Sequence, residues 1–96
     1  MRQLIFSPQA EEDIDEIYDF TDENWGFEQA ESYTSKILSV CRSLTHGNPR
    51  GRSINRLRRG YALIQSGSHF IIYQQSYDEV LIVRILHKRM NIRKHI

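Results

Sequence analysis

The feature that most constrains this chain is a change of hydrophobic period near residue 54. Before it, apolar residues recur at helical spacing: Ala10, Ile14, Ile17, Tyr18, Thr21 and Trp25 form one stripe. Phe27, Ala30, Tyr33, Ile37, Leu38, Cys41 and Leu44 form a second. Beyond it, Ile54-Asn55-Arg56-Leu57-Arg58, Tyr61 to Gln65, His69 to Gln74 and Val80 to His87 read as strands. One stretch cannot satisfy both periods, because a helix and a strand present their side chains differently. The chain therefore divides into a helical part and a sheet part.

Local signals fix the boundaries. Arg2 to Phe6 reads as a short first strand, and Ser7-Pro8 as a helix start with serine as N-cap and proline at the first helical position. Gly26 breaks the first helix, and the second runs to about Thr45, giving an antiparallel helical hairpin. His46 to Gly51 is dense in turn formers. Arg59-Gly60, Ser66-Gly67-Ser68 and Tyr77-Asp78-Glu79 are turns too short for anything but antiparallel neighbours. The expectation is an α+β fold in one domain, residues 1–96, with a helical hairpin on a twisted antiparallel sheet and a short basic tail from Lys88. Alternation along Val80 to His87 places Val80, Ile82, Arg84 and Leu86 on one face. At 96 residues the core is thin, and total stability is expected to be about 5–10 kcal/mol.

A net charge of +1 conceals a strong asymmetry. Residues 1–35 hold one base and ten acids, a balance of −9, whereas residues 36–96 hold twelve bases and two acids, a balance of +10. Eight acids stand on the first helix with no base among them, which is tolerable if bases from elsewhere lie against it. Arg50, Arg52, Arg56, Arg58 and Arg59 cluster within ten residues, and Arg84, His87, Lys88, Arg89, Arg93, Lys94 and His95 close the chain. Such a surface suits an anionic partner, either a nucleic acid or an acidic protein segment. Ten arginines against three lysines favour bidentate recognition of carboxylate or phosphate. Arg84, among apolar neighbours, must find a carboxylate or serve at a site.

Several classes of function are disfavoured. Cys41 is alone, which excludes an internal disulfide and suits a reducing cytoplasm. The apolar run in Met1 to Phe6 is too short for a signal peptide, and no stretch approaches a membrane span. His46, His69, His87 and His95 are scattered, so neither a metal nor another cofactor is expected. No phosphate-binding glycine loop or nucleophile elbow occurs. Metal-free RNA cleavage needs a general acid, a general base and a cation; His87 or His69 with Arg84 or Arg59 would be the parts.

Leu57-Arg58-Arg59-Gly60-Tyr61, Gly67 to Tyr73, Val83 to Met90 and the closing Arg93-Lys94-His95-Ile96 strongly resemble the ParE toxins of the ParE/RelE superfamily. The resemblance extends over the whole chain, since the first strand, the Ser-Pro-x-Ala helix start and the Trp25-Gly26 break also fit. It implies a RelE/ParE-like hairpin on a curved antiparallel sheet, and the toxin of a type II toxin–antitoxin system. Such a toxin poisons DNA gyrase by trapping the cleaved DNA complex, without being an enzyme itself. A ParD-type antitoxin would silence it, and operator DNA would be met only through that partner. The target-binding residues are then expected to be Arg59, Arg84, His87, Lys88, Arg89, Met90, Arg93 and Lys94, with Arg50, Arg52, Arg56 and Arg58 meeting the antitoxin. The RelE branch instead cuts messenger RNA in the ribosome, often with a carboxy-terminal tyrosine. No tyrosine lies in this tail, so that activity is the alternative, with His87, Arg84 and Arg59 as its candidates. Removal of Arg89 to Ile96 is expected to abolish toxicity without unfolding the domain.

Overall fold

A computed structural model describes residues 1–47 and 51–96. Strand β1 (Gln3–Phe6) leads into helix α1 (Pro8–Trp25), and helix α2 (Phe27–Leu44) follows after Gly26 alone. Strands β2 (Arg52–Ser53), β3 (Ala62–Ser66), β4 (His69–Gln75) and β5 (Glu79–His87) come next, then a 3-10 turn at Ile92–Lys94. The helix start is as the sequence indicates: Ser7 Oγ accepts from the Ala10 N–H at 3.0 Å, with Pro8 in the first turn. Gly26, at φ +93°, separates the helices in a conformation that favours glycine. Tyr18 Oη donates to the Glu31 carboxylate at 2.6 Å and ties α1 to α2.

The sheet is mixed, with strand order β1-β5-β4-β3-β2. The meander β2 to β5 is antiparallel as expected, but β1 lies parallel to β5, with Gln3 opposite Glu79 and Phe6 opposite Ile82. The helical hairpin together with the β2–β4 meander forms the long connection that parallel pairing needs. Two further expectations are corrected. Ile54 to Arg58 is not a strand: the Ile54 carbonyl accepts from the Leu57 and Arg58 N–H groups, and Asn55 Oδ1 accepts from the Gly60 N–H, closing a turn. The strand there is the two-residue β2 that precedes it.

The second correction concerns β5. Tyr73 stands opposite Ile82, but Ile72 stands opposite Arg84, so the register slips by one residue at Val83. An extra residue reverses the faces of everything after it. Val80, Ile82 and Ile85 therefore enter the core beneath the helices, with Ile71, Tyr73, Ile37, Cys41 and Leu44. Leu86 falls on the opposite face with Ile54, Leu63 and Ile72. Strict alternation had grouped Ile82 with Leu86. Cys41 is fully buried among the helix-side residues, and burial pushes its thiol up to about 12, leaving it protonated.

What covers the second face differs from expectation. Ile92 and Ile96 of the tail pack over Ile54, Leu63, Ile72 and Leu86. Arg58 Nη1 also donates to the Ile96 carbonyl at 3.3 Å. The tail is thus part of the core cover, and its removal would expose apolar surface.

Candidate functional site

Arg84 organises the basic end of the molecule. It leaves β5 opposite Ile72, on the tail side of the sheet, and passes the strand edge that β1 does not cover. There Nε and Nη2 donate to Asp13 of α1 at 2.8 and 2.9 Å, while Nη1 donates to the His95 carbonyl at 3.2 Å. The same carboxylate accepts from the Ile85 N–H at 2.9 Å, so Asp13 satisfies a strand-edge donor as well. One guanidinium therefore clips the acidic helix to the basic tail. The hydrogen bonds to Asp13 raise the Arg84 pKa against the opposing effect of burial, so it stays charged. Both side chains are largely buried, where a bidentate pair holds its geometry firmly. The carboxylate alternative for Arg84 is the one observed.

Asp13 is identifiable in hindsight from helical phase. It lies three residues after Ala10 and four before Ile17, on the stripe that turns inward, whereas the other acids of α1 face solvent or its margin. Among the described residues, Arg84–Asp13 is the one ion pair within 4.0 Å. The condition that bases lie against the acidic helix is met at Arg84, whose pKa Glu16 and Glu12 also raise through their charge; among the described residues no acid of α1 but Asp13 has a cation within 4.0 Å.

The arginines of the turn and the tail meet. Arg56, in the turn after β2, lines one surface cavity with Arg93 and Leu57. Arg58 reaches the chain's last carbonyl and lies 5.3 Å over the Tyr61 ring. Arg52, Arg59, Lys88, Arg89 and Lys94 are exposed. Arg50 falls outside the described residues. Of the arginines assigned from sequence to the antitoxin, Arg56 and Arg58 thus lie at the tail, and Arg56 and Arg93 share one lining.

The bulge at Val83 has a second consequence: it sets His87 directly opposite His69, where unbroken pairing would have placed Leu86. The two rings stand edge to face at 5.3 Å. Tyr33 of α2 completes the cluster, with Oη accepting from the Ser68 N–H at 2.9 Å and sharing a 2.6 Å hydrogen bond with His69 Nδ1. Gly67 permits this approach, since it has φ +59° and a Cβ there would lie 2.7 Å from the Tyr33 ring. His87 Nδ1 accepts from the Arg89 N–H at 3.1 Å, which puts the proton of the neutral ring on Nε2. Burial, then the neighbouring His87, lowers His69 to about 4, with Asp13 opposing. The meeting of Tyr33 with His69 depends on how α2 packs over the β3–β4 turn, which no local pattern announces, whereas the pairing of His69 with His87 depends on the bulge. Of the three candidate nuclease residues, Arg84 and His87 line one cavity of about 300 Å³ with Met90, and Arg59 is not in its lining.

A two-helix hairpin on a five-stranded mixed sheet, closed by a basic tail, defines a RelE/ParE-like toxin fold. Residues 4–92 match the family described as ParE toxin of type II toxin–antitoxin system, parDE, and the chain belongs to that family. It is 32% identical over 96 residues to Toxin ParE1 of Caulobacter vibrioides, spanning 100% of this chain and 99% of that protein. Toxin ParE1 of Mycobacterium tuberculosis is 33% identical, over 98% of this chain and 97% of its own. Among solved structures, a chain of the chromosomal ParDE system from P. aeruginosa superposes with a TM-score of 0.76 at 23% identity, covering 91% of this chain and 96% of that one. A chain of the YoeB-YefM complex from Staphylococcus aureus gives 0.59 at 21% identity, covering 91% and 97%. At those identities the structural likeness speaks for the fold alone.

Proposed function

We propose that this ParE-family toxin acts in the cytoplasm, as one domain, by poisoning DNA gyrase, and that a ParD-type antitoxin silences it. The convergence of turn and tail cations on one surface supports this reading most strongly. Exposed Lys88, Arg89, Arg93 and Lys94, with Arg59 beside the turn, present bidentate and point-charge donors to an anionic target such as a gyrase–DNA complex. His87 and Met90 extend that surface toward the helices. Arg84 contributes by holding the tail through His95 rather than by direct contact.

An antitoxin segment carrying acids would engage Arg52, Arg56 and Arg58, together with Arg50. Because Arg56 and Arg58 adjoin the tail, such a segment would also cover the toxic surface, so that one binding event neutralises the toxin. Charge would chiefly set the association rate, while apolar contacts would hold the complex. Operator DNA would then be reached through the antitoxin. The test is purified toxin with gyrase and supercoiled plasmid, followed by denaturant and protease. Linear, enzyme-linked DNA is the expected product; unimpaired supercoiling with no linear product would refute the reading.

A second reading, ribosome-dependent cleavage of messenger RNA, draws on the His69–His87 pair, the one place where two imidazoles meet. It is the weaker of the two, because Arg84 is already committed to Asp13 and Arg59 lies outside that cavity. Messenger RNA cut on programmed ribosomes, and spared by His87→Ala, would favour it.

A further inference from the structure

The tip of the helical hairpin carries a second surface, opposite in charge to the tail. Phe20, Trp25 and Phe27 are 59%, 67% and 64% exposed, although helical spacing had placed Trp25 and Phe27 on buried stripes. Phe20 and Trp25 meet edge to face at 5.9 Å. Beside them opens a cavity of about 220 Å³, lined by Thr21, Gln29, Tyr33, His69 and His87 as well as the two aromatic rings. The cavity described above adjoins it, sharing Phe20, Thr21 and both histidines. Its scale suits one or two large side chains rather than a cofactor. With His69 lowered to about 4, that part of the floor is uncharged at neutral pH. Grouped exposed aromatics beside an open apolar cavity mark a contact site in proteins of this size.

The surrounding charge indicates what would dock. Glu16, Asp19 and Glu23 share the helical face of Phe20, at i−4, i−1 and i+3. Asp22 and Glu23 stand in the last turn of α1, which holds no base, so they oppose the helix dipole. No lysine or arginine occurs between Arg2 and Lys36. Among the described residues, Asp13 is the only acid of α1 with a cation within 4.0 Å. An arrangement unfavourable both along the helix and at its end is retained where an outside partner relieves it. Nucleic acid and anionic membrane would be repelled, and a symmetric pair of copies would set acids against acids.

We propose that the hairpin tip docks an amphipathic protein helix bearing large apolar anchors flanked by lysine and arginine. The anchors would enter the cavities beside Phe20 and Trp25, and the bases would meet Glu16, Asp19, Asp22 and Glu23. This surface is separate from Arg52, Arg56 and Arg58, to which an acidic segment is assigned, and borders the toxic surface at His87 and Met90, which line the adjoining cavity.

Trp25 is the sole tryptophan and reports the event directly. Full-length toxin would be titrated with two synthetic helical peptides of identical leucine and phenylalanine pattern, one flanked by Lys/Arg and the other by Glu. The basic peptide is expected to shift Trp25 emission saturably to the blue, binding at least about tenfold tighter than the acidic one. Raising salt should narrow that gap. The triple variant Glu16→Gln, Asp19→Asn, Glu23→Gln should lose most of the preference while its circular dichroism is kept and its unfolding midpoint rises slightly, as relief of the like charges requires. Equal or tighter binding of the acidic peptide would overturn the proposal. So would a silent titration with the basic peptide, or a blue shift driven by toxin concentration alone, which would mean self-association.

Discussion

The two faces of the sheet are built to different standards. Beneath the helices, ten buried residues interlock with partly buried side chains from both helices and β1. On the other face, among the described residues, four buried residues, Ile54, Leu63, Ile72 and Leu86, are flanked by Phe70 and Val83 of the sheet and covered by Tyr61, Leu57 and the tail residues Ile92 and Ile96. The first face makes the fold; the second couples the fold to its basic tail. A tail that covers core cannot vary freely, so surface charge and stability are linked there in a way that the acidic hairpin tip does not share.

Neighbouring residues of β4 test the contrast most sharply. Ile71 and Ile72 are both fully buried but point to opposite faces. Ile71→Ala is expected to cost about 4 kcal/mol, since the helix-side cavity cannot collapse. Ile72→Ala should cost about 2–3 kcal/mol, because a short tail can settle into the space. Urea unfolding measures both, and equal losses would erase the distinction between the faces.

The clip between them comes next. Asp13→Ala strands the Arg84 guanidinium and the Ile85 N–H, and should cost roughly 3 kcal/mol. Adding Arg84→Met should recover part of the loss, because a buried charge without a partner is worse than none. A double variant less stable than the single one would show that Arg84 acts mainly through His95.

Deleting Arg89 to Ile96 removes two apolar covers and should cost about 2 kcal/mol, visible as a lower urea midpoint. Replacing Arg93 and Lys94, both exposed, with alanine should change stability by less than about 0.5 kcal/mol. If the deletion unfolded no more easily than the substitutions, the tail would not be core cover.

The effect of pH is of the same order as that of the deletion. His69 titrates near 4 in the folded chain against an ordinary 6.5, so the unfolded chain binds the proton first as pH falls. Stability is full above about 6.5 and declines toward 4, by on the order of 2 kcal/mol for this partly buried ring. His69→Gln should flatten that part of the profile, and an unchanged slope would remove His69 as its cause.

Much of this was legible in the sequence and some could not be. Period, caps and glycines placed both helices, four of the strands and the tail turn, and the residue motifs pointed to the family. The missing pieces share a cause: each depends on one residue of register or on distant packing. The bulge at Val83 put Leu86 beneath the tail and His87 opposite His69, and no local signal in Val80 to His87 announces it. The strand expected at Ile54 was displaced by a turn whose formers, Asn55 and Gly60, were in plain view. Trp25 and Phe27 kept helical phase but lie at the hairpin tip and remain exposed.

The most direct test of the account compares wild-type toxin with the Lys88→Ala, Arg89→Ala, Arg93→Ala, Lys94→Ala variant in the gyrase cleavage assay. Both proteins should unfold at nearly the same urea concentration. The wild type should accumulate enzyme-linked linear DNA, and the variant should yield little or none. Equal cleavage by the two would contradict the claim that the tail's basic surface is the toxic one.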